Sequence, residues 1–155
     1  RAQEFIQNRK TPVSSFYLDL NLYANYWGNH GYHHTASASL HYALREALRV
    51  AYEEGLDARY ARHRANAELL WAGLEEIGVP PFIPAEYRLP PLTTAIVPEG
   101  VDPHALRAKL LNEYNIEIAG GFGTLADKVW RIGLMGYSSR KENITLLLAA
   151  LRELI

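Results

Sequence analysis

The sequence has no cysteine among its 155 residues. Disulfide bonds, thiolate metal sites and cysteine nucleophiles are therefore excluded for this chain, and a cytoplasmic location is favoured. Long apolar runs are also missing, because no stretch approaches the roughly 18 residues that a membrane-spanning helix needs. The first residues, Arg1 to Phe5, do not have the pattern of a signal peptide. We therefore expect a soluble, cytoplasmic protein with no membrane partner.

The chain has no strong excess of charge of either sign, since 16 basic residues meet 17 acidic ones for a formal net charge of −1. Nucleic-acid binding needs a concentrated basic surface. A small cluster of arginines, Arg59, Arg62 and Arg64, is flanked by several glutamates. This pattern is typical of a solvated helix face, so we expect no nucleic-acid partner.

Hydrophobic residues make up 48% of the chain, which is typical of a globular protein, and the length fits one core-bearing domain. In the first half, apolar residues at helical spacing predict helices. These are a short helix within residues 1–10, a long helix that Thr35 or Ser37 can cap and Gly55 ends, and a second long helix from Leu56 to Ile77.

The second half of the chain changes character. Asp102-Pro103 has the order of cap and proline that opens a helix, and Ser139 with Glu142 matches a capping box before a closing helix. Strands are predicted at residues 93–97, 116–118 and 129–134. We therefore expect an α/β chain in which long helices precede a small α+β unit, whose mostly antiparallel sheet is covered by helices.

An arginine lies within the last predicted strand. Trp130, Ile132 and Leu134 point to one face of that strand, by its period of two. Arg131 therefore stands on the opposite face, beside Gly133, which leaves room for a ligand. A guanidinium fork can bind a carboxylate with two hydrogen bonds. The alternative is an arginine on the solvent side of a half-buried strand, and the pattern alone leaves both interpretations open.

The segment Tyr32-His33-His34-Thr35 lies between a turn and the predicted long helix. The hydroxyls of Tyr32 and Thr35, with free amides of the first helical turn, could hold an anion such as phosphate. The alternative is that Thr35 only caps the helix and Tyr32 packs against its neighbours.

Other chemistries lack a suitable pattern. The histidines at positions 30, 33, 34 and 41 have no carboxylate at a recognised ligand spacing, so we expect no metal site. His63 falls on an apolar helical stripe and is interpreted as a hydrogen-bonded core histidine. The glycines at 120–123 lead towards another strand, which favours a tight connection over a phosphate loop. Serine triads and paired carboxylates are not found.

With these residues in place, the chain resembles the C-terminal half of class V pyridoxal-phosphate aminotransferases, in the alanine–glyoxylate and serine–pyruvate branch. The resemblance runs almost from end to end of the chain. It rests on Arg9-Lys10-Thr11-Pro12, Ser15-Phe16-Tyr17-Leu18-Asp19, Tyr32-His33-His34-Thr35, Ala43-Leu44-Arg45-Glu46, Arg88-Leu89-Pro90, Thr93-Thr94, Ile116-Glu117-Ile118, Gly120-Gly121 and Arg131-Ile132-Gly133-Leu134.

The resemblance implies the C-terminal part of a fold-type-I enzyme that works as a homodimer with pyridoxal 5'-phosphate. It implies that Tyr32 and Thr35 bind the cofactor phosphate of the neighbouring subunit and that Arg131 binds the substrate carboxylate. The reaction would move an amino group from alanine or serine to glyoxylate or pyruvate. Residues 1–35 would then end the large cofactor domain and form a dimer contact, and residues 36–155 would be a helical connection and the small domain.

The resemblance also implies a lysine that holds the cofactor as a Schiff base, and this chain has no match for it. Lys10, Lys109, Lys128 and Lys141 lie in other sequence contexts. We therefore assign no catalytic residue and expect the chain alone to be inactive. The alternative function is a non-catalytic interaction or scaffold domain derived from an aminotransferase, which would use the aromatic stretch from Phe16 to Trp27 as its contact surface.

Overall fold

The computed structural model describes all residues from 1 to 155 and contains six α-helices and a three-stranded antiparallel sheet. The chain divides into two compact units, Arg1–Arg49 and Val50–Ile155. None of the helices combines the length and the apolar character needed to span a bilayer. The helices are α1 (Ala2–Gln7), α2 (Leu20–Asn29), α3 (Ala38–Glu54), α4 (Leu56–Glu76), α5 (Pro103–Tyr114) and α6 (Lys141–Leu154).

The first unit contains α1, α2 and most of α3. The short helix and the long helix predicted here are confirmed, and α3 begins directly after Ser37. The sequence analysis does not predict α2, although its aromatic residues, Tyr23, Tyr26 and Trp27, have the spacing of one helical face. Asp19 caps α2 by accepting a hydrogen bond from the N–H of Asn21 at 2.9 Å. His30 ends the helix in the left-handed conformation, with φ 55°.

The second unit is built on the sheet, whose strands are β1 (Leu92–Ile96), β2 (Ala119–Gly120) and β3 (Val129–Gly133). The strand order is β1-β3-β2, so β3 is central and antiparallel to both neighbours. Side chains of α4, α5 and α6 share one core with inward residues of β1 and β3. Helices followed by a small antiparallel sheet are the architecture that the sequence predicts. The fully buried residues of this core include Leu70, Leu74, Ala95, Leu110, Trp130 and Leu151.

The prediction of a strand at residues 116–118 is wrong, because β2 begins at Ala119. Asn115 ends α5 in the left-handed conformation, and the N–H of Ile116 turns back to the carbonyl of Leu110 at 3.0 Å. Arg107 then takes the carbonyl of Ile118 as a hydrogen-bond acceptor at 2.9 Å. These residues are therefore tied to α5 and do not pair with β3.

The predicted start of α5 is confirmed. The carboxylate of Asp102 accepts hydrogen bonds from the backbone N–H groups of His104 at 2.8 Å and Ala105 at 3.0 Å. These bonds, the one from Ala105 first, lower the pKa of Asp102, because they favour the charged carboxylate. The helix thus begins with the cap and the proline that the sequence indicates.

The predicted capping box of Ser139 and Glu142 is wrong. Ser139 is fully buried, and its carbonyl accepts a hydrogen bond from the side-chain amide of Asn66 at 2.8 Å. Its hydroxyl lies 3.2 Å from the same amide. The N-cap position of α6 is Arg140, whose side chain makes no capping hydrogen bond, and the helix begins at Lys141. Ser139 therefore anchors the segment between β3 and α6 to α4.

An ion-pair network extends this anchor. Glu54 accepts hydrogen bonds from Arg59 at 2.9 Å and from Arg62 at 2.5 and 3.0 Å. Arg62 also donates to the backbone carbonyls of Gly136 and Ser139. The hydrogen bond from Arg62, followed by that from Arg59, lowers the pKa of Glu54 to about 2.

His63 is hydrogen-bonded at both ring nitrogens, as the sequence predicts, but it is half-buried, so its predicted place in the core is wrong. Its Nδ1 donates to the carbonyl of Arg59 at 2.7 Å, and its Nε2 accepts from the N–H of Gly136 at 3.0 Å. This pair of bonds requires the neutral ring, since Nε2 must keep its lone pair. The first turns of α4 thus hold the segment that follows β3.

We expect Glu54 to make the second unit less stable in acid. Because its folded pKa of about 2 lies below the ordinary value of 4.5, its contribution is present above about pH 4.5 and is lost as the pH falls towards 2. Urea unfolding of Glu54→Gln should give a lower free energy of unfolding than the unchanged chain at neutral pH. The difference should shrink between about pH 5 and pH 3.

Glu86→Gln is the matched control for this measurement, because Glu86 is exposed and forms no ion pair in the structure. It should leave the pH profile of the free energy of unfolding unchanged. A Glu54→Gln profile that runs parallel to that of the unchanged chain would contradict the role of the network.

Candidate functional site

Arg131 lies in the central strand of the sheet, where it is paired with Thr94 of β1 and Ala119 of β2. Its neighbours Trp130 and Ile132 are buried in the core. The arginine is half-buried and points to the other face, as the alternation of the strand predicts. The fold therefore supports Arg131 on both sides with backbone that is hydrogen-bonded into the sheet.

The guanidinium of Arg131 is held at one edge and on one face. Its Nε donates a hydrogen bond to the carbonyl of Gly120 at 2.8 Å. Its Cζ lies 4.2 Å from the centroid of the Phe122 ring. No carboxylate forms an ion pair with it, and its two terminal nitrogens have no hydrogen-bond partner in the chain. Ion pairs with glutamates are made instead by other arginines of this unit, namely Arg59, Arg62, Arg64, Arg88 and Arg152.

The open fork matters because a half-buried charge is stabilised by a partner that supplies hydrogen-bond acceptors. The Nη1 and Nη2 groups of Arg131 present parallel N–H donors, which match the two oxygens of one carboxylate. The arrangement can therefore bind a carboxylate while Nε stays on Gly120.

The end of β2 and the turn that follows it, residues 120–125, supply both contacts of Arg131. The N–H of Gly121 donates to the carbonyl of Val129 at 2.9 Å. A Cβ atom at position 121 would lie 2.0 Å from the backbone carbonyl oxygen of Leu125, so only glycine fits there. The turn closes with a hydrogen bond from the N–H of Leu125 to the carbonyl of Phe122 at 3.2 Å. It is the tight connection that the sequence predicts.

Tyr32 and Thr35 lie together in the first unit. The hydroxyl of Tyr32 is 2.8 Å from that of Thr35, within hydrogen-bond distance. Both residues are exposed, and Tyr32 has 78% of its surface accessible. Thr35 lies three positions before Ala38, where α3 begins, and does not cap that helix. One hydroxyl therefore donates to the other, and the pair keeps one O–H and its remaining lone pairs for an external group.

The histidines between them form the anchor of this segment. His33 is 6% exposed and is stacked between the rings of Phe16 at 4.4 Å and Tyr23 at 4.5 Å. Its Nδ1 lies 2.8 Å from Nδ1 of His34, while its Nε2 has no partner. Desolvation, followed by the neighbouring Tyr17, raises the pKa of Tyr23. The aromatic stretch thus contributes to a cluster within the first unit.

Two contacts of Arg131 in the candidate site escape sequence reasoning. The stacking of Phe122 on Arg131 and the use of the Gly120 carbonyl depend on the shape of the turn, and a run of glycines does not specify that shape. The buried position of His33 could have been suspected from the density of aromatic residues before it. No group of three or more histidine and acidic side chains is arranged to hold a metal ion.

The lysines offer no catalytic candidate. All four of them, Lys10, Lys109, Lys128 and Lys141, are exposed. A lysine that forms a covalent bond with a carbonyl group needs a setting that lowers its pKa, as burial or a neighbouring cation does.

Comparison with known proteins gives a consistent picture, although no family model matches the chain. The chain is 42% identical to (S)-ureidoglycine–glyoxylate transaminase of Bacillus subtilis, over 93% of this chain and 35% of that protein. It is 43% identical to alanine–glyoxylate aminotransferase of Oryctolagus cuniculus, over 99% of this chain and 40% of that protein. The crystal structure of an alanine–glyoxylate aminotransferase from Nostoc sp. matches 99% of this chain and 41% of its own, with 52% identity and a TM-score of 0.89.

The fold is that of the C-terminal part of fold-type-I pyridoxal-phosphate aminotransferases, with long helices before a small antiparallel sheet. Within that class, the chain is homologous over nearly its whole length to the class V enzymes of the alanine–glyoxylate branch. It spans about 40% of the length of the relatives that it matches.

Proposed function

We propose that this chain is the C-terminal portion of a transaminase that moves an amino group from alanine or serine to glyoxylate or pyruvate. The observation that carries the proposal is the guanidinium of Arg131, which is half-buried and has an open fork in a chain with 17 acidic residues. The names of the relatives, which include alanine–glyoxylate and ureidoglycine–glyoxylate transaminases, support the choice of reaction.

Arg131 would bind the α-carboxylate that amino-acid and keto-acid substrates share. Its Nη1 and Nη2 groups face no intramolecular acceptor, so a carboxylate would replace only water there. Because every donor and acceptor in this reaction class carries that carboxylate, one arginine can serve both halves of the exchange.

Tyr32 and Thr35 would bind the phosphate of pyridoxal 5'-phosphate in the neighbouring subunit of a homodimer. The fit rests on their hydroxyls, which lie 2.8 Å apart on an exposed segment: one donates to the other, and the remaining O–H can donate to a phosphate oxygen. When bound, the cofactor supplies the electron sink that amino-group transfer needs.

The proposal assigns the two parts of the chain to different regions of such an enzyme. Residues 1–35 would end the large cofactor domain and contact the second subunit, and residues 36–155 would form the helical connection and the small domain. A cytoplasmic location fits the absence of cysteine. The lysine that binds the cofactor covalently would come from a part of the enzyme outside these residues.

In the complete enzyme, Arg131→Ala should raise the KM for the amino donor by about 10- to 100-fold, since a charged hydrogen-bond pair contributes about 1.5–3 kcal/mol. Steady-state kinetics over a range of amino-donor concentrations would measure the effect. Arg152→Ala is the control, because Arg152 is an exposed arginine of α6 that pairs with Glu76. Equal KM values for the two variants would remove the carboxylate role of Arg131.

Tyr32→Phe should weaken binding of the cofactor about tenfold, since one hydrogen bond to a charged phosphate is lost. Equilibrium dialysis of the cofactor-free variant and unchanged enzymes against pyridoxal phosphate, followed by absorbance, would give the dissociation constants. Tyr87→Phe removes the hydroxyl of another tyrosine, which is 72% exposed in the second unit, and should have no effect. Cofactor binding that is identical in both variants would speak against the phosphate site.

The 155 residues alone should neither transaminate nor hold the cofactor covalently. The intact mass of the purified chain should stay near 17.5 kDa after borohydride reduction with pyridoxal phosphate present. The complete enzyme should gain one cofactor adduct under the same conditions. Measurable turnover by the isolated chain would contradict this prediction, and a complete natural protein without any adduct would favour the scaffold function.

A further inference from the structure

The ring of Phe122 is exposed, with 71% of its surface accessible, as are many other large apolar side chains of this chain. Its contact with the protein is made on the guanidinium of Arg131, whose Cζ lies 4.2 Å from the ring centroid. A guanidinium stacks favourably on an aromatic face, because the ring quadrupole attracts the cation. One face of the exposed Phe122 ring therefore makes a favourable electrostatic contact with Arg131.

The ring is presented by a turn that has little freedom to move. Gly121 is hydrogen-bonded to Val129 at the start of β3 and has no space for a side chain. Gly123, which follows Phe122 in the sequence, has a φ of 58°, a conformation that favours glycine. The same turn carries the carbonyl of Gly120 that accepts the hydrogen bond from Nε of Arg131.

These two contacts act on different parts of the guanidinium. The carbonyl of Gly120 fixes the Nε edge, and the ring of Phe122 covers one face. The Nη1 and Nη2 groups, on the opposite edge, stay open. A long arginine side chain otherwise samples many rotamers, and ordering it during binding lowers the affinity.

We propose that Phe122 is a positioning residue for the carboxylate site: it holds the guanidinium of Arg131 in the orientation that receives the substrate carboxylate before the substrate arrives. The inference rests on the proposed function, because it assumes that Arg131 binds a carboxylate. It adds a residue that acts through Arg131 and that increases affinity by pre-organisation.

The effect of Phe122 should appear in binding and leave the chemical step unchanged. Phe122→Leu removes the aromatic face but keeps an apolar side chain, and it should raise the KM for the amino donor about two- to fivefold with kcat unchanged. Phe122→Tyr keeps the aromatic face and should have the same KM for the amino donor as the unchanged enzyme. Phe122→Met is a second non-aromatic variant, in case the leucine variant is poorly stable.

The experiment is a double-mutant cycle in the complete enzyme with Phe122→Leu, Arg131→Ala and their combination. The readouts are the KM and kcat for the amino donor and the inhibition constant of acetate, a simple carboxylate probe. We expect Phe122→Leu to raise the KM and the inhibition constant together when Arg131 is present. In the Arg131→Ala background it should change neither quantity.

Each other outcome contradicts a separate step. If Arg131→Ala weakens carboxylate binding but Phe122→Leu does not, the positioning inference fails while the proposed function stands. If Phe122→Leu has the same effect in both backgrounds, the ring acts on the substrate or on folding, and the inference also fails. If Arg131→Ala itself has no effect, the carboxylate site of the proposed function is wrong.

Discussion

The central strand β3 is the constraint on which the rest of the second unit depends. Burial of Trp130 and Ile132 beneath the helices fixes the register of this strand, because a shift by one residue would move both side chains out of the core. The same register places Arg131 on the opposite face, between backbone pairs with β1 and β2. Core packing therefore positions the charged group, and no separate element is needed to direct it.

The segments before and after β3 are held by different chemistry. The turn before it is fixed by the backbone of Gly121, which fits only without a side chain. The segment after it is tied to α4 by polar groups, with Arg62 and His63 bonded to Gly136 and with Asn66 bonded to Ser139. Because the segments on both sides of β3 are held in this way, the side chain of Arg131 is kept within the narrow geometry that a binding site requires.

The helices other than α2 could be predicted from the sequence; in α4, for example, apolar residues recur at helical spacing over several turns. Asp102 was predictable as a cap because its effect is local. The capping role predicted for Ser139 is wrong, since its hydrogen bonds are made with a distant partner, Asn66, that local sequence does not reveal. In the candidate site, the face of Arg131 is predictable from strand alternation, which is local. Its contact with Phe122 is not, because it depends on the shape of a turn.

The three proposed binding side chains share one physical property. Each makes one hydrogen bond inside the chain that helps to fix it, and each keeps further hydrogen-bonding capacity. The hydroxyls of Tyr32 and Thr35 are hydrogen-bonded to one another, and Nε of Arg131 donates to the carbonyl of Gly120. Fully satisfied groups would have no reason to bind a ligand, and groups without any partner would be poorly ordered. This intermediate state is the one expected of a chain that supplies binding groups to a reaction whose covalent chemistry lies elsewhere.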